Sequence, residues 1–251
     1  MQSRSPSNMM FQRDQQPEMM DDPELPREEH LHALAGLRNL NIVSGVSAAT
    51  YSHLRRYSKA QSGRPLNVLD VASGGGDIPI AWAKRAKRDG WDLQLTLIDL
   101  RSVAVEQQQQ SAKAAGVNLL SLQQDCLNGP LPTGFDVVTC TLFMHHLDDS
   151  QAFRLLQSMQ QATDQALLVC DLERSRFNLG VVSMASHLVT RSKVVHNDAA
   201  LSVRAAYTIA EFEKLAKSAL ARPVRVQRAF PCRFIASYDE LAVPEIVPAF
   251  A

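Results

Sequence analysis

Residues 66–90 constrain the fold most, because they join an apolar strand, a glycine turn and an amphipathic helix. The run 66–71 is short, apolar and partly β-branched, which is typical of a strand covered on both faces. Glycines 74–76 let the backbone take positive φ and let a ligand approach without Cβ interference. Asp77 is expected to cap the next helix and Gly90 to end it. The pattern predicts a ligand site at the carboxyl end of this strand.

Two phosphate-binding motifs are excluded at this turn. A dinucleotide fingerprint requires a third glycine where the chain has Pro79, and a P-loop requires a Gly-Lys-Ser/Thr sequence that is absent. The next apolar run, 93–100, closes with Asp99, and an acid at the tip of the second strand accepts hydrogen bonds from ribose hydroxyls. A glycine turn with this acid and no phosphate cradle indicates a nucleoside. S-adenosylmethionine fits, and a plain tight turn between strand and helix is the alternative.

Four segments in order resemble the motifs of class I S-adenosylmethionine-dependent methyltransferases. LDVASGGGD, residues 69–77, resembles the first motif. Gly74 and Gly76 match two glycines of that motif, and Ala72 replaces the earlier one. Asp99 matches the acid that binds the ribose in this family.

The third and fourth segments lie further along the chain. Residues 123–132 resemble the segment whose acid, here Asp125, meets the adenine amino group, and residues 135–149 resemble the fourth strand and its loop. The resemblance covers about residues 40–238 and implies S-adenosylmethionine as the cofactor. The residues that it assigns to cofactor binding are Asp70, Ala72, Ser73, Gly74, Gly76, Asp77, Asp99, Leu100, Asp125, Cys126, Thr141 and His145.

Length and composition set further limits. The 251 residues suffice for one large domain with a full core. The 26 basic and 26 acidic residues cancel, so no global charge favours nucleic acid. The four cysteines lack metal-ligand spacing and are expected to be buried thiols. The N-terminus has no apolar run typical of a signal peptide, and no stretch is long enough to span a membrane, so we expect a cytoplasmic protein.

From residue 66 onward, predicted strands and helices alternate, which indicates a parallel, doubly wound sheet. The last two strands, near 223–229 and 231–237, are separated too briefly for a crossover helix and must be antiparallel neighbours. The expected fold class is α/β: a Rossmann-like, doubly wound, seven-stranded mixed sheet whose last strand is antiparallel, with N-terminal helices and a helical insert after strand five. The chain divides into a disordered tail (1–20), an N-terminal helical cap (21–62), the methyltransferase domain (63–240) and an irregular tail (241–251).

Two helical regions outside this alternation bear on the acceptor. The resemblance implies that the N-terminal helices cover the cofactor, and a pair that merely packs on the sheet is the alternative. The insert 172–207 is longer than a normal connection, and its helix near 179–189 is apolar with few charges. We expect a lid and a pocket for an apolar acceptor, with a satellite helix on the sheet edge as the alternative.

Methyl transfer from a sulfonium is an in-line substitution, in which alignment and exclusion of water supply ~7–11 kcal/mol of barrier reduction. A phenolic acceptor has a pKa of ~10, so a histidine base is useful. His146 follows strand four and His196 lies in the insert near Asp198, and both are candidate bases. Asp171 ends strand five and is a candidate for orienting a base or holding Arg174, or it caps the insert. No metal motif is present, which predicts metal-independent transfer.

A less specific resemblance bears on the acceptor. ELPREEHLHALAGLRNLN, DLERSRF and HNDAALSVRAAYTIAEF are similar to segments of bacterial methyltransferases encoded beside type III polyketide synthases. Those enzymes methylate hydroxyls of alkylresorcinol-type phenols and lie near the quinone methyltransferases. We therefore expect O-methylation of a lipophilic phenol or hydroquinone and no nucleic-acid partner. Transient contact with a membrane surface and oligomerisation stay open.

Three other functions fit parts of the sequence. C-methylation of a quinone ring needs no oxygen base, and the sequence does not separate it from O-methylation. A non-catalytic scaffold is disfavoured by the intact glycine turn with Asp99 and Asp125. Nucleic-acid or protein methylation is disfavoured because CTLF stands where amino-base methyltransferases carry an Asn-Pro-Pro-aromatic loop. The arginines of the terminal hairpin are interpreted as solvated edge charges: Arg222, Arg225, Arg228 and Arg233.

Overall fold

The computed structural model describes residues 12–61 and 63–239. Within them the chain forms one seven-stranded sheet with helices on both faces. The irregular tail expected at 241–251 lies outside the described residues, as do residues 1–11 of the expected disordered tail. Residues 12–20 follow a defined course against the domain, where the Arg13 guanidinium donates to the carbonyls of Leu147 and Ala205 at 2.6 Å each.

The strands of the sheet are β1 (Leu66–Val71), β2 (Leu93–Asp99), β3 (Leu120–Gln123), β4 (Phe135–Thr141), β5 (Thr163–Leu172), β6 (Arg225–Ala229) and β7 (Arg233–Asp239). Their order across the sheet is β3-β2-β1-β4-β5-β7-β6. Strands β1 to β5 are parallel, and β7 is antiparallel to both of its neighbours. The predicted doubly wound mixed sheet with an antiparallel last strand is confirmed.

The helices of the described residues are α1 (Arg27–Ser44), α2 (Val46–Ser58), α3 (Asp77–Arg88), α4 (Ser102–Ala115), α5 (Asp149–Ala162), α6 (Arg176–Val189), α7 (Lys193–Ala205) and α8 (Ile209–Leu220). Short 3-10 turns occupy Met19–Asp21, Lys59–Gln61 and Met144–His146. Helices α1 and α2 form the N-terminal cap that the sequence predicts.

The core lies in two layers, one on each face of the sheet. On β1, Leu69 and Val71 belong to the cluster that includes α5 and α8, whereas Val68 belongs to the cluster that includes α2 and α3. Trp82 of α3 is fully buried and donates from its indole nitrogen to the Thr50 hydroxyl at 2.9 Å, which ties α3 to α2. Because both faces are covered, the carboxyl edge of the parallel strands is where a ligand reaches the sheet.

The insert after β5 folds into two helices, where the sequence predicts one apolar helix and a following segment. Ser175 caps α6 and Ser192 caps α7 through their side chains. Helix α7 packs against α1 through a small apolar cluster that contains Ala33 and Val194. It also contacts the 3-10 turn 144–146. The insert therefore connects the N-terminal cap to the end of β4.

Two expected side-chain roles are wrong. Asp77 does not cap α3, because Gly76 occupies the N-cap position with a φ of 74° and the Asp77 carboxylate accepts a hydrogen bond from Asn41 Nδ2 at 3.1 Å. Arg233 is not a solvated charge: it is 7% exposed, and its Nη2 donates to the Ser44 hydroxyl at 2.7 Å. The other three hairpin arginines are exposed.

The four cysteines are free thiols, and three of them are buried, as the sequence predicts. Among the helices of the described residues, none has both the length and the apolar character needed to cross a bilayer.

Candidate active site

The turn after β1 meets the end of β2 at the carboxyl edge of the sheet. The main-chain N–H of Gly74 donates to Asp99 Oδ2 at 2.8 Å, and that of Arg101 donates to Oδ1 at 3.0 Å. Gly74 has a φ of 53°, a conformation that favours glycine. Burial raises the pKa of the Asp99 carboxyl, and the two main-chain donors oppose that shift. The structure therefore brings the glycine turn and the strand-end acid together.

Gln108 of α4 holds this turn and was not predicted from the sequence. It is fully buried and donates from Nε2 to the carbonyl of Gly74 at 2.8 Å. Its Oε1 is buried with no hydrogen-bond partner among the described residues. The sequence indicates this role only by the position of Gln108, which lies at helical spacing between Ala104 and Ala112 on the buried face of α4.

The glycines of the turn are packed closely. A Cβ at Gly76 would lie 3.0 Å from Gln108 Cγ and 3.1 Å from Leu97 Cδ1. A Cβ at Gly75 would lie 3.7 Å from Cδ2 of Leu34, which belongs to α1. Helix α1 therefore lies over the glycine turn, where the resemblance implies a cover for the cofactor.

Beneath the turn, Asp70 is 2% exposed and accepts a hydrogen bond from the Thr139 hydroxyl at 2.6 Å. Burial raises the pKa of Asp70 to about 7, against the opposing hydrogen bonds from Thr139 and Ser73. Ser73 Oγ also donates to the Asp70 carbonyl at 2.8 Å. Ala72 has a φ of 54°, a region that costs an L-residue ~1–2 kcal/mol. Ala72 therefore adopts a backbone conformation that glycine usually takes.

The remaining predicted cofactor residues lie at the ends of the neighbouring strands. Leu100 follows β2 and is exposed, Asp125 and Cys126 follow β3, and Thr141 ends β4. Asp125 Oδ1 accepts a hydrogen bond from the main-chain N–H of Leu127 at 2.8 Å, which orders its loop. Burial raises the pKa of the Cys126 thiol to about 12, so this thiol stays protonated. Carboxylates, main-chain groups and apolar side chains are thus arranged along one edge, which suits ribose and adenine.

His145 and Asp171 form a buried pair at the ends of β4 and β5. Asp171 Oδ1 lies 2.6 Å from His145 Nδ1, and Oδ2 accepts the main-chain N–H of His145 at 3.2 Å. Burial acts to raise the pKa of Asp171, but the charge and the hydrogen bond of His145 lower it below its usual value. The ionised carboxylate accepts the Nδ1 proton, so Nε2 carries the lone pair when the imidazole is neutral.

Asp171 therefore orients a histidine, and that histidine is His145 rather than the candidate base His146. Arg174, the other expected partner of Asp171, has its Nη2 2.6 Å from Glu211 Oε1, and its Nη1 donates to the Ala206 carbonyl at 2.6 Å.

His146 faces the N-terminal segment. Its Nδ1 lies 3.0 Å from Asp21 Oδ2 and its Nε2 lies 3.8 Å from Glu18 Oε2. Burial lowers the pKa of His146, but the hydrogen bond with Asp21 and the charges of Glu18 and Asp21 outweigh it and raise the pKa to about 9. His146 is therefore cationic at neutral pH in this arrangement, which does not suit a general base.

Residues 13–21 close over the ends of β2 and β4. The carbonyl of Asp21 accepts a hydrogen bond from Arg101 Nη2 at 2.5 Å, while its carboxylate holds His146. The Arg13 guanidinium stacks on the Tyr207 ring, 3.7 Å from the ring centroid. Residues 13–20 belong to the stretch expected to be disordered, and Asp21 belongs to the expected helical cap, yet both contribute charged groups to the site.

The second candidate base, His196, is placed elsewhere. Its Nε2 lies 2.9 Å from the Thr190 carbonyl, and its ring stacks on His187 with centroids 4.2 Å apart. The expected pairing with Asp198 is wrong, because residues two apart on a helix point to different sides. The Asp198 carboxylate instead accepts the main-chain N–H groups of Met19 and Met20.

A cleft of about 290 Å³ opens between the N-terminal segment and the 3-10 turn at the end of β4. The expected acceptor pocket was apolar, but this cleft is lined mainly by polar groups. Three large apolar side chains of the insert are exposed on α6: Phe177, Met184 and Leu188. The polar and charged residues that line the cleft are Gln15, Gln16, Glu18, Asp21, His145, His146, Asp148 and Gln151.

Comparison with protein families gives a match to the model described as "Methyltransferase domain" over residues 68–165, from β1 into β5. No curated protein sequence matches the chain. Among solved structures, the plantazolicin methyltransferase BamL, solved with a triazolic desmethylPZN analog and SAH, is 18% identical. It has a TM-score of 0.61, over 79% of this chain and 72% of that one.

Two cyanobacterial structures are also similar. The magnesium protoporphyrin IX methyltransferase ChlM of Synechocystis PCC 6803, solved with SAH, is 16% identical with a TM-score of 0.54, over 78% of this chain and 82% of that one. A protein of Nostoc punctiforme PCC 73102 that is assigned as an O-methyltransferase is 16% identical with a TM-score of 0.57. That alignment covers 79% of this chain but only 57% of the Nostoc protein.

The family match places a methyltransferase domain at residues 68–165, and the fold of the described residues is that of the similar methyltransferase structures. The chain is therefore a methyltransferase, and S-adenosylmethionine is the cofactor that this domain implies. The residues at hand fit that molecule: Asp99 for the ribose hydroxyls, the Gly74–Gly76 turn for close approach and Asp125 for the adenine edge.

Proposed function

We propose that this enzyme methylates a hydroxyl oxygen of a lipophilic phenol or hydroquinone. The observation that carries the proposal is the buried pair of Asp171 and His145, which presents an imidazole nitrogen at the carboxyl edge of the sheet. A phenol has a pKa of ~10 and reacts as the phenolate, so it requires a proton acceptor of this kind.

Bound S-adenosylmethionine supplies a methyl group that the sulfonium already activates. The acceptor oxygen forms the new O–C bond as the S–C bond breaks, and the electron pair of that bond stays on sulfur. His145 Nε2 takes the phenolic proton, and the Asp171 carboxylate stabilises the resulting imidazolium. The segment 13–21 and α1 cover the strand ends and exclude water, which favours the aligned ground state.

The outer face of α6 supports an apolar acceptor. Phe177 is 76% exposed, Met184 61% and Leu188 79%, whereas the buried residues of this helix are Asn178 and Ser186. The three apolar side chains recur at helical spacing and share one face. Large apolar side chains grouped on one exposed face are typical of a surface that meets an apolar ligand or a lipid layer. We assign this face to the apolar chain of the acceptor and to the membrane surface that delivers it.

The fold itself does not select the acceptor. The similar structures are named for plantazolicin and for magnesium protoporphyrin IX, which are chemically unrelated molecules. The proposal therefore depends on the residues of this chain and on the resemblance to alkylresorcinol-type methyltransferases.

A matched acceptor panel with radiolabelled S-adenosylmethionine tests the proposal. Resorcinol and a long-chain alkylresorcinol share one head group, and a demethylquinol and a simple catechol complete the set. We expect kcat/KM for the long-chain compound to exceed that for resorcinol by about tenfold or more, since each buried CH₂ contributes ~0.8 kcal/mol. Fragmentation of the product should place the label on oxygen.

Each other outcome rejects a named part of the proposal. Label on a ring carbon would establish C-methylation instead. Turnover on hydrophilic acceptors alone would reject the lipophilic substrate. Absence of S-adenosylmethionine binding in calorimetry would favour the non-catalytic scaffold.

A further inference from the structure

Glu18, His145 and His146 converge on the cleft beside the carboxyl edge. One ring nitrogen of each histidine and one carboxylate oxygen of Glu18 lie within 4.8 Å of one another. We infer that these three side chains bind a divalent first-row transition-metal ion, such as Zn²⁺ or Fe²⁺. The sequence predicts metal-independent transfer, because it contains no metal motif and Glu18 lies far along the chain from the adjacent His145 and His146.

The separations are close to those of a metal site. Ligand atoms at ~2.0–2.2 Å from a tetrahedral ion lie about 3.4 Å apart. The three side chains must therefore close by no more than about 1.4 Å, which rotation of Glu18 and His146 supplies without moving the sheet. His145 is already fixed, because Asp171 holds its Nδ1 and leaves Nε2 for the ion.

Each proposed ligand has an outer partner that orients it. Asp171 holds His145 Nδ1 at 2.6 Å, and Asp21 holds His146 Nδ1 at 3.0 Å. The Ser202 hydroxyl donates to Glu18 Oε1 at 2.6 Å, which leaves Oε2 facing His146. Carboxylates on the far ring nitrogens of metal-binding histidines, and hydrogen bonds to ligating carboxylates, are the usual outer contacts of such sites.

The ligand set selects the class of ion. Two imidazoles with one carboxylate favour Zn²⁺, Fe²⁺, Co²⁺ or Ni²⁺, whereas Mg²⁺ and Ca²⁺ prefer oxygen ligands throughout. Three protein ligands leave coordination positions open toward the cleft of about 290 Å³. The ion would replace the proton on His146 Nε2, which faces Glu18, while Nδ1 keeps its proton toward Asp21, since a ligating imidazole must be neutral.

A bound ion would also lower the pKa of a hydroxyl that coordinates it, so it would take over the deprotonation assigned above to His145. The inference itself concerns binding of the ion alone. It does not depend on the identity of the acceptor, and its test needs no methyl-transfer assay.

The test is titration of the tag-free, chelator-stripped full chain with Co²⁺, followed by absorption, and with Zn²⁺, followed by calorimetry. We expect one ion per chain, a visible Co²⁺ spectrum and no competition by Mg²⁺. Glu18→Gln keeps an acceptor for the Ser202 hydroxyl and removes the negative charge of the ligand. His146→Gln replaces the imidazole ligand with an amide. Each should weaken binding by about tenfold or more.

His187→Gln is the matched control, since His187 stacks on His196 in a separate histidine pair and lies outside this cluster. Circular dichroism and S-adenosylmethionine binding confirm that each variant is folded. No stoichiometric binding by the wild type would overturn the inference. Unchanged affinity in both Glu18→Gln and His146→Gln, or equal loss in His187→Gln, would overturn it as well.

Discussion

The main-chain N–H of Gly74 donates to the carboxylate of Asp99 at 2.8 Å, so the fold itself joins the turn after β1 to the acid that ends β2. Each carboxylate oxygen accepts one main-chain N–H and has a further lone pair. Asp99 can therefore accept ribose hydroxyls without giving up the contacts that position it. The acid of this site is preorganised by the fold.

Asp99→Asn should weaken S-adenosylmethionine binding by about 10- to 100-fold, because hydrogen bonds to a charged acceptor contribute ~1.5–3 kcal/mol. The amide can accept at only one of its two atoms, so one main-chain donor and one hydroxyl lose their partner. Calorimetry measures the change. Asp92→Asn, an exposed acid just before the same strand, is the control, and equal affinities for the two variants would contradict the placement of the ribose.

Gly76→Ala should destabilise the fold more than Gly90→Ala does. Both positions have positive φ, 74° and 79°. The new Cβ at Gly76 meets Gln108 and Leu97 at 3.0 and 3.1 Å, whereas the one at Gly90 meets nothing within 4 Å. Overpacking costs ~1–3 kcal/mol, and this is the expected excess in unfolding free energy measured in urea. Equal losses would show that the backbone conformation alone decides the cost.

The sheet and the glycine turn follow from local sequence, whereas several contacts of the site do not. Gly74 and Asp99 could be placed together because the carboxyl ends of adjacent parallel strands share an edge. The choice of His145 over His146 as partner of Asp171 depends on side-chain direction in the turn 144–146, which periodicity does not report. Burial of Gln108 was visible only as one polar residue in a small-residue stripe.

The N-terminal segment could not be placed from the sequence for a different reason. Glu18 and Asp21 reach the site because Asp198 accepts the main-chain N–H groups of Met19 and Met20. Main-chain contacts of this kind leave no pattern in residue type, so the polar, methionine-rich composition of residues 1–20 predicts a disordered tail. His196 and Asp198 are close in sequence but do not pair, because residues two apart on a helix point to different sides.

Because of Asp70, the unfolding free energy of the protein without cofactor should fall as pH rises from about 4 to about 7. The folded pKa of Asp70 is about 7 because it is buried, and the unfolded value is ~3.9. Between these values the folded state binds more protons than the unfolded state, so the slope of unfolding free energy with pH is negative and flattens above pH 7. The full effect is about 4 kcal/mol at ~1.36 kcal/mol per unit.

Asp70→Asn removes this titration and keeps an acceptor for the Thr139 hydroxyl. The unfolding free energy of the variant, relative to wild type, should therefore rise between pH 4 and pH 7 and stay constant above. Urea unfolding at a series of pH values measures the difference. Parallel curves for the two proteins would mean that folding does not raise the pKa of Asp70.

The apolar face of α6 should matter for long-chain acceptors only. Phe177→Ser and Leu188→Ser replace exposed side chains, so we expect changes in stability within about 0.5 kcal/mol. Contact with an acyl chain or a lipid layer contributes ~1.5–3 kcal/mol per side chain, so KM for an alkylresorcinol and binding to liposomes should each weaken about tenfold. Leu120→Ser, on β3 and 53% exposed, is the control, and equal effects on resorcinol would assign α6 a structural role.

Asp171→Asn should lower kcat by ~10²–10⁴ while S-adenosylmethionine affinity stays unchanged. The carboxylate now accepts the Nδ1 proton of His145 and the main-chain N–H groups of His145 and Leu172. An amide offers one acceptor atom and one donor atom. If its NH₂ group faces His145 Nδ1, the imidazole proton moves to Nε2. If its NH₂ group faces a main-chain N–H instead, that hydrogen bond is lost. Single-turnover rates measure the loss, and Asp164→Asn, an exposed acid at the start of the same strand, is the control. A fall in cofactor affinity with an unchanged rate would make Asp171 a binding residue and would withdraw His145 as proton acceptor.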